Sequence, residues 1–289
     1  MKKPREIDDI TGVETTGHEW DGIKELNKPL PRWWLLTFYA TIVWAIGYMI
    51  AYPAWPTLAG YTKGVLGYSQ RQAVADDMKA AVQAQSGMRD LLARTPLEDI
   101  RANRDLFTFA IAAGSSSFQT NCAPCHGRNG HGFLGYPNLN DDDWIWGGTL
   151  ADVEKTILYG IRSGHRDARI GQMPRYGIEE LLTREQISDA AEFVLELSGR
   201  SSQPVAAARG AILFKEQCAS CHGEQGRGKL DQGAPNLADG IWLYGGSREA
   251  ITESIRTGRG GEMPAWTGRL DPVTLRSLTL YVYSLGGGK

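Results

Sequence analysis

Hydrophobic and polar positions divide the chain into three textures. A long stretch without a charge covers 33–56, and its most apolar part, WWLLTFYATIVWAIGYMIAY, fills 33–52. Twenty such residues, rising 1.5 Å each, reach about 30 Å, the thickness of a bilayer's hydrocarbon core. Trp33, Trp34, Tyr52 and Trp55 stand at its ends, where interfacial aromatic belts form. A buried soluble helix is the competing reading, but such helices seldom run so long uncharged. A cleavable signal peptide fits poorly, because seven acids precede the run within 32 residues and the run is too long. The pattern predicts one uncleaved transmembrane helix over 33–56, with 1–32 as a polar leading segment.

Residues 57–103 alternate charges with small apolar residues, and QAVADDMKAAVQAQSGMRDLLAR (72–94) reads as a helix. Too few large apolar residues occur here for a separate core, so the segment reads as a helical stalk or surface layer. Beyond it the chain repeats itself. FQTNCAPCHGRNGHG, YPNL, DWIWGGT, TILYG and QMP return in order as FKEQCASCHGEQGRG, APNL, IWLYGGS, SIRTG and EMP. The offset is 96 residues at Cys122/Cys218 and 98 at Trp144/Trp242, but 90 at Met173/Met263. The first copy therefore carries about eight extra residues before its Met. Self-similarity of this kind predicts two tandem copies of one fold, 104–200 and 204–289. In each copy a Gly-x-x-x-Phe pair (Gly114/Phe118, Gly210/Phe214) lies on one face of a predicted helix, and the Gly permits a second helix to cross closely. Candidates for the second helix are 183–197, opening with a Thr-x-x-Gln capping box, and 271–285, with Pro272 in its first turn.

Composition narrows the function classes. Of 289 residues, 42% are hydrophobic, too few for a polytopic membrane protein, and a net charge of −2 leaves no basic footprint for nucleic acid. Four Cys are too few for a disulfide scaffold, so their spacing carries the information.

That spacing is Cys-x-x-Cys-His, twice: Cys122, Cys125, His126 and Cys218, Cys221, His222. Two thiols so spaced can add to the two vinyl groups of a haem, and the adjacent His then reaches the iron from one face. A zinc site using all four Cys is the main competitor, but it would not explain a His directly after both pairs. A thioredoxin-like pair would need a surrounding βαβ pattern, which is lacking. Two covalently bound haem c groups are expected. A Met-Pro follows each His, 47 residues on at Met173 and 41 at Met263. A thioether opposite an imidazole fills the iron's coordination and suits electron transfer. His131 and His165 are rival ligands without counterparts in the second copy, and both read as surface residues. Pro137 and Pro235 are placed to offer carbonyls to the axial His Nδ1 protons. Pairing within each copy, Met173 with His126 and Met263 with His222, is the default. Exchange between short-linked tandem copies is the open alternative. The acidic run Asp141–Asp143 reads as a solvated face able to steer a basic cytochrome c.

The repeated blocks resemble class I cytochrome c domains, and the leading block GHEWDGIKELNKPLPRWW (17–34) narrows the likeness. With one span and two such domains, the chain resembles the dihaem subunit of cbb3-type cytochrome c oxidases. That resemblance implies a mainly α protein: one N-terminal transmembrane helix, then two tandem class I cytochrome c domains. It implies haem binding by Cys122, Cys125, His126, Cys218, Cys221 and His222, with Met173 and Met263 distal. Expected partners are the catalytic and monohaem cytochrome subunits of the oxidase and a soluble or membrane-tethered cytochrome c donor. The chain itself should carry electrons without an oxygen-reducing site. Haem attachment on the periplasmic side would put 57–289 outside and 1–32 in the cytoplasm of a bacterial inner membrane. A free membrane-anchored dihaem shuttle and a dihaem peroxidase-like enzyme are the alternatives; matching Met loops in both copies speak against the second.

Overall fold

The computed structural model describes residues 6–286. The chain forms two compact units, one up to residue 84 and one from residue 85 onward.

In the first unit the leading segment contains an antiparallel hairpin, β1 (Thr15–Trp20) and β2 (Ile23–Leu26), paired Trp20↔Ile23 and Glu19↔Lys24. Its two-residue turn is Asp21-Gly22, both at positive φ (49° and 85°), the conformation this dipeptide favours. The dipeptide was legible in the sequence, although the polarity pattern alone gave no element here. Next comes α1 (Arg32–Ala51), apolar enough to cross a membrane and with no buried side chain. It is shorter than the expected 33–56. Pro53 forces Tyr52 into extended backbone (φ −113°, ψ 164°), which ends the helix. Aromatic rings stack along it at i, i+4: Trp34–Phe38 at 5.4 Å, Trp44–Tyr48 at 5.4 Å and Tyr48–Tyr52 at 4.6 Å. A short hairpin, β3 (Pro56–Thr57) and β4 (Gly60–Tyr61), follows.

The helix expected over 72–94 is α2 (Gln70–Arg94). Most of it is exposed, but its end is not. Met88 and Leu92 pack with Leu97 and Ile100 of α3 (Leu97–Ile100) into a core that includes Leu106, Ala110 and Leu280. Arg276 fastens this corner by donating to the carbonyls of Leu92 and Thr95.

The remaining helices are α4 (Arg104–Asn121), α5 (Ala123–His126), α6 (Leu150–Tyr159), α7 (Arg184–Glu196), α8 (Pro204–Gln217), α9 (Ala219–His222), α10 (Arg248–Thr257) and α11 (Pro272–Tyr283). Their starts follow the capping chemistry of the sequence. Thr183 and Gln186 close the capping box of α7, Asp271 caps α11, and Asn103, Thr149 and Ser247 cap α4, α6 and α10.

Helix pairing corrects the expectation that each copy folds upon itself. α4 packs on α11 and α8 on α7. A Cβ on Gly114 would run into the Ser277 carbonyl and the Tyr281 side chain, and one on Gly210 into the Asp189 carbonyl and Phe193. Glycine is thus required where the helices cross. Two lobes result. The first joins α3, α4, α5 and α6 to the C-terminal α11, around Phe118, Val153, Ile157, Leu275, Leu278 and Val282. The second is one continuous segment, 171–260, built from α7, α8, α9 and α10 around Ile187, Ala191, Val194, Phe214, Ile251 and Ile255. It is inserted into the first, and its C-terminal helix precedes its N-terminal one. The boundary between 104–200 and 204–289 is a sequence boundary that runs through the second lobe. The first copy's extra residues lie in 161–170, where the chain leaves the first lobe.

Candidate functional site

Each Cys-x-x-Cys-His begins where a long helix ends. Cys122 closes α4 through its N–H to Phe118 O (2.9 Å), and His126 N–H returns to Cys122 O (2.9 Å). In the second lobe, Cys218 N–H bonds Phe214 O (2.8 Å) and His222 N–H bonds Cys218 O (2.9 Å). One helical turn therefore sets both thiols and the imidazole together, and all four thiols are free. Burial pushes the Cys122 and Cys218 thiols up to about 11, while Cys125 and Cys221 are exposed.

The imidazoles are oriented as the prolines predicted. His126 Nδ1 lies 3.1 Å from Pro137 O and His222 Nδ1 lies 3.0 Å from Pro235 O. A carbonyl only accepts, so Nδ1 carries the proton and Nε2 keeps a free lone pair. Burial lowers both imidazole pKa values, partly offset by these bonds, which favours the neutral, ligating form. Gly132 and Gly228, at φ +69° and +80°, make the return possible, because a Cβ there would strike the chain beside the same prolines.

The Met residues sit in the other copy's site. Met173 packs against the core cluster around Phe214, the same cluster that Cys218, Ala219, Leu237 and Trp242 pack against. Met263 packs against the core cluster around Phe118, the same cluster that Cys122, Ala123, Leu139 and Trp144 pack against. Within-copy pairing is therefore corrected. The reason is the helix pairing, since each Met loop travels with the helix that follows it. Met263 is held in the first lobe by a two-way backbone pair with Ile161 (2.9 and 3.0 Å), and the Met173 loop by Gln172 Nε2 to Gly258 O (2.8 Å).

The residues around these motifs fit a haem. The indole N–H of Trp144 and of Trp242 is buried with no protein partner among the described residues. A donor left so in both copies calls for an acceptor from outside the chain, and haem propionates are acceptors of that kind. The sequence marks the two Trp only as repeat landmarks. Repetition of an N–H-bearing ring beside the motif was the available signal. Of the rival ligands, His131 is exposed near Asn140 and His165 stacks on Tyr159 at 4.9 Å in the crossover. The acidic run is not one solvated face. Asp142 is exposed, but Asp143 is half-buried, and burial together with Asp239 and Asp141 raises its pKa to about 6.

The lobes meet reciprocally. Trp146 of the first lies on Gly233 of the second, while Tyr244 of the second lies on Gly135 of the first. Arg169 covers the Trp146 ring at 5.6 Å and Arg259 the Tyr244 ring at 5.4 Å. All four pairs are repeat equivalents, so the lobes are related by a pseudo-two-fold. Gly135 and Gly233 each stand two residues before the proline that holds an axial His.

Two cytochrome c domains behind one candidate membrane helix define a c-type cytochrome, a class that transfers electrons and holds its haem covalently. Comparison with known proteins narrows the class. Residues 12–59 match the N-terminal domain of cytochrome oxidase-cbb3, FixP, residues 111–198 match cytochrome c, and residues 205–282 match cytochrome c oxidase, cbb3-type, subunit III. The cbb3-type cytochrome c oxidase subunit FixP of Azorhizobium caulinodans is 52% identical over 284 residues, 98% of this chain and 96% of that protein. FixP of Bradyrhizobium sp. (strain ORS 278) is 50% identical over the full length of both chains, and subunit CcoP of Cereibacter sphaeroides 49% identical over 95% of each. This chain belongs to the FixP/CcoP family, subunit III of cbb3-type cytochrome c oxidases.

Proposed function

We propose that this subunit carries electrons through two covalently bound haem c groups and has no oxygen-reducing site of its own. Haem bound at these motifs supplies an iron that alternates between two oxidation states and so passes one electron at a time. Cys122 and Cys125 would hold one haem, with His126 and Met263 axial; Cys218 and Cys221 would hold the other, with His222 and Met173 axial. The observation that carries this reading is that the first Cys of each motif, whose His is held by a proline carbonyl, shares its hydrophobic cluster with a Met from the other copy. A thioether in the sixth position excludes substrate, which favours transfer over peroxidase chemistry. Trp144 and Trp242 would donate to propionates, and the prolines fix the imidazoles.

Electrons would enter from a soluble or membrane-tethered cytochrome c and leave toward the catalytic and monohaem subunits. Residues 57–289 would lie in the periplasm and 1–32 in the cytoplasm, with α1 in the inner membrane, because haem is attached to such motifs on the periplasmic side. The test is a pair of variants, Cys122→Ser/Cys125→Ser and Cys218→Ser/Cys221→Ser, purified from native membranes through a tag on the catalytic subunit. Each should co-purify with one covalent haem instead of two on this chain. Unchanged haem stain in either variant would refute the attachment sites, and absence of the wild-type chain from the purified oxidase would refute the partnership.

A further inference from the structure

Arg162 occupies the place where the chain leaves the first lobe, within the first copy's extra residues, and it has no equivalent in the second copy. Its backbone is left-handed, φ +51°, a conformation costly for a residue with a Cβ. That strain turns the side chain's two donor groups onto repeat-equivalent atoms. Nε donates to Gly261 O at 2.7 Å and Nη1 to Gly171 O at 2.5 Å. Each carbonyl lies two residues before a Met, Gly261 before Met263 and Gly171 before Met173. One guanidinium thus joins the two Met loops at corresponding points, on the pseudo-two-fold that relates them. The planar fork of Arg can hold two acceptors at fixed separation, which a Lys ammonium cannot do with the same rigidity. Burial opposes the charge of the group and lowers its pKa, partly offset by Tyr244 and Glu262, which favour that charge. Both loops are rich in Gly and Pro, so backbone bonds of this kind carry much of their placement.

We propose that Arg162 is a positioning residue shared by both Met loops, so that distal Met ligation at the two haems is strengthened or weakened together. The inference rests on the reading above that Met173 and Met263 are axial ligands, and its test separates the two ideas.

The experiment uses the full-length protein with both haems attached, and it reads the long-wavelength sulfur-to-ferric-iron charge-transfer band during alkaline titration. Met173→His and Met263→His backgrounds each leave one Met band, so each haem is read alone. Arg162→Gln should lower the pH of band loss by about one unit in both backgrounds, a tenfold weaker hold on each Met. Arg162→Lys should give a smaller fall, again in both. Gln172→Ala, which loosens only the Met173 loop, should shift the band only where Met173 is the remaining ligand. A shift confined to one background, or to neither, with Arg162→Gln or with the better-folding Arg162→Lys, would overturn the shared role. If neither Met→His change removed a band, the ligand assignment itself would fall instead.

Discussion

Stopping the chain after residue 261 removes the C-terminal part of the second sequence copy, yet it should destroy the first haem lobe and spare the second. The deletion takes away Met263 and α11, whose Leu275, Leu278, Leu280 and Val282 are no more than 6% exposed. At about 1.5–3 kcal/mol for each fully buried aliphatic side chain, the loss is roughly 6–12 kcal/mol. A whole domain is stable by only about 5–15 kcal/mol, so the first lobe should not survive. The bonds from Arg276 to Leu92 and Thr95 go as well, which frees the end of α2. The second lobe keeps its α7–α8 pair, α10, His222 and Met173. Limited proteolysis followed by mass spectrometry of the haem-bearing fragments reads the outcome. The protected fragment should span about 171–260 and contain Cys218, Cys221 and His222, with a Met-type haem spectrum. A protected fragment carrying Cys122, Cys125 and His126 would refute the nested arrangement and restore folding within each copy.

Gly210→Ala should destabilise the second lobe by about 1–2 kcal/mol in chemical denaturation, because overpacking of roughly 1–3 kcal/mol outweighs the approximately 1 kcal/mol gain in helix propensity. A more stable variant would mean that α8 and α7 do not cross there. Asp143 takes a proton at about 6 in the folded protein against 3.8 for a free aspartate side chain, so the folded state binds more protons between those values and stability falls as pH rises through about 6. Asp143→Asn should therefore be the more stable protein at pH 7, with the difference closing below pH 4 in denaturation midpoints; a difference that does not vary with pH would reject the buried carboxylate cluster.

Local chemistry was readable from residue order. The uncharged run set α1, although the helix stops at Ala51, before Pro53, and not at the expected 56. Thr183 and Gln186 fixed the start of α7, as Asp271 and Pro272 did for α11. Cys-x-x-Cys-His placed thiols and imidazole on one turn, and Pro137 and Pro235 found the imidazoles because a short glycine-bearing loop can reach little else. Each of these depends on neighbours close in sequence, so the chain order contains the geometry. Partner choice is different. α4 and α8 present the same Gly-x-x-x-Phe face, and α7 and α11 are both apolar helices able to receive it. Two nearly equivalent pairings therefore satisfy the same pattern, and the Met loops follow whichever wins. One clue was present: only 198–203 separates the expected end of α7 from the start of the second copy at 204, and helices so closely linked tend to pack as antiparallel neighbours. That hairpin closes the second lobe locally and leaves α11 as the partner for α4. Only the tertiary structure decides the matter, because the winning arrangement depends on side chains more than 150 residues apart, such as Phe118 and Tyr281 with ring centres at 5.2 Å, meeting around a shared core.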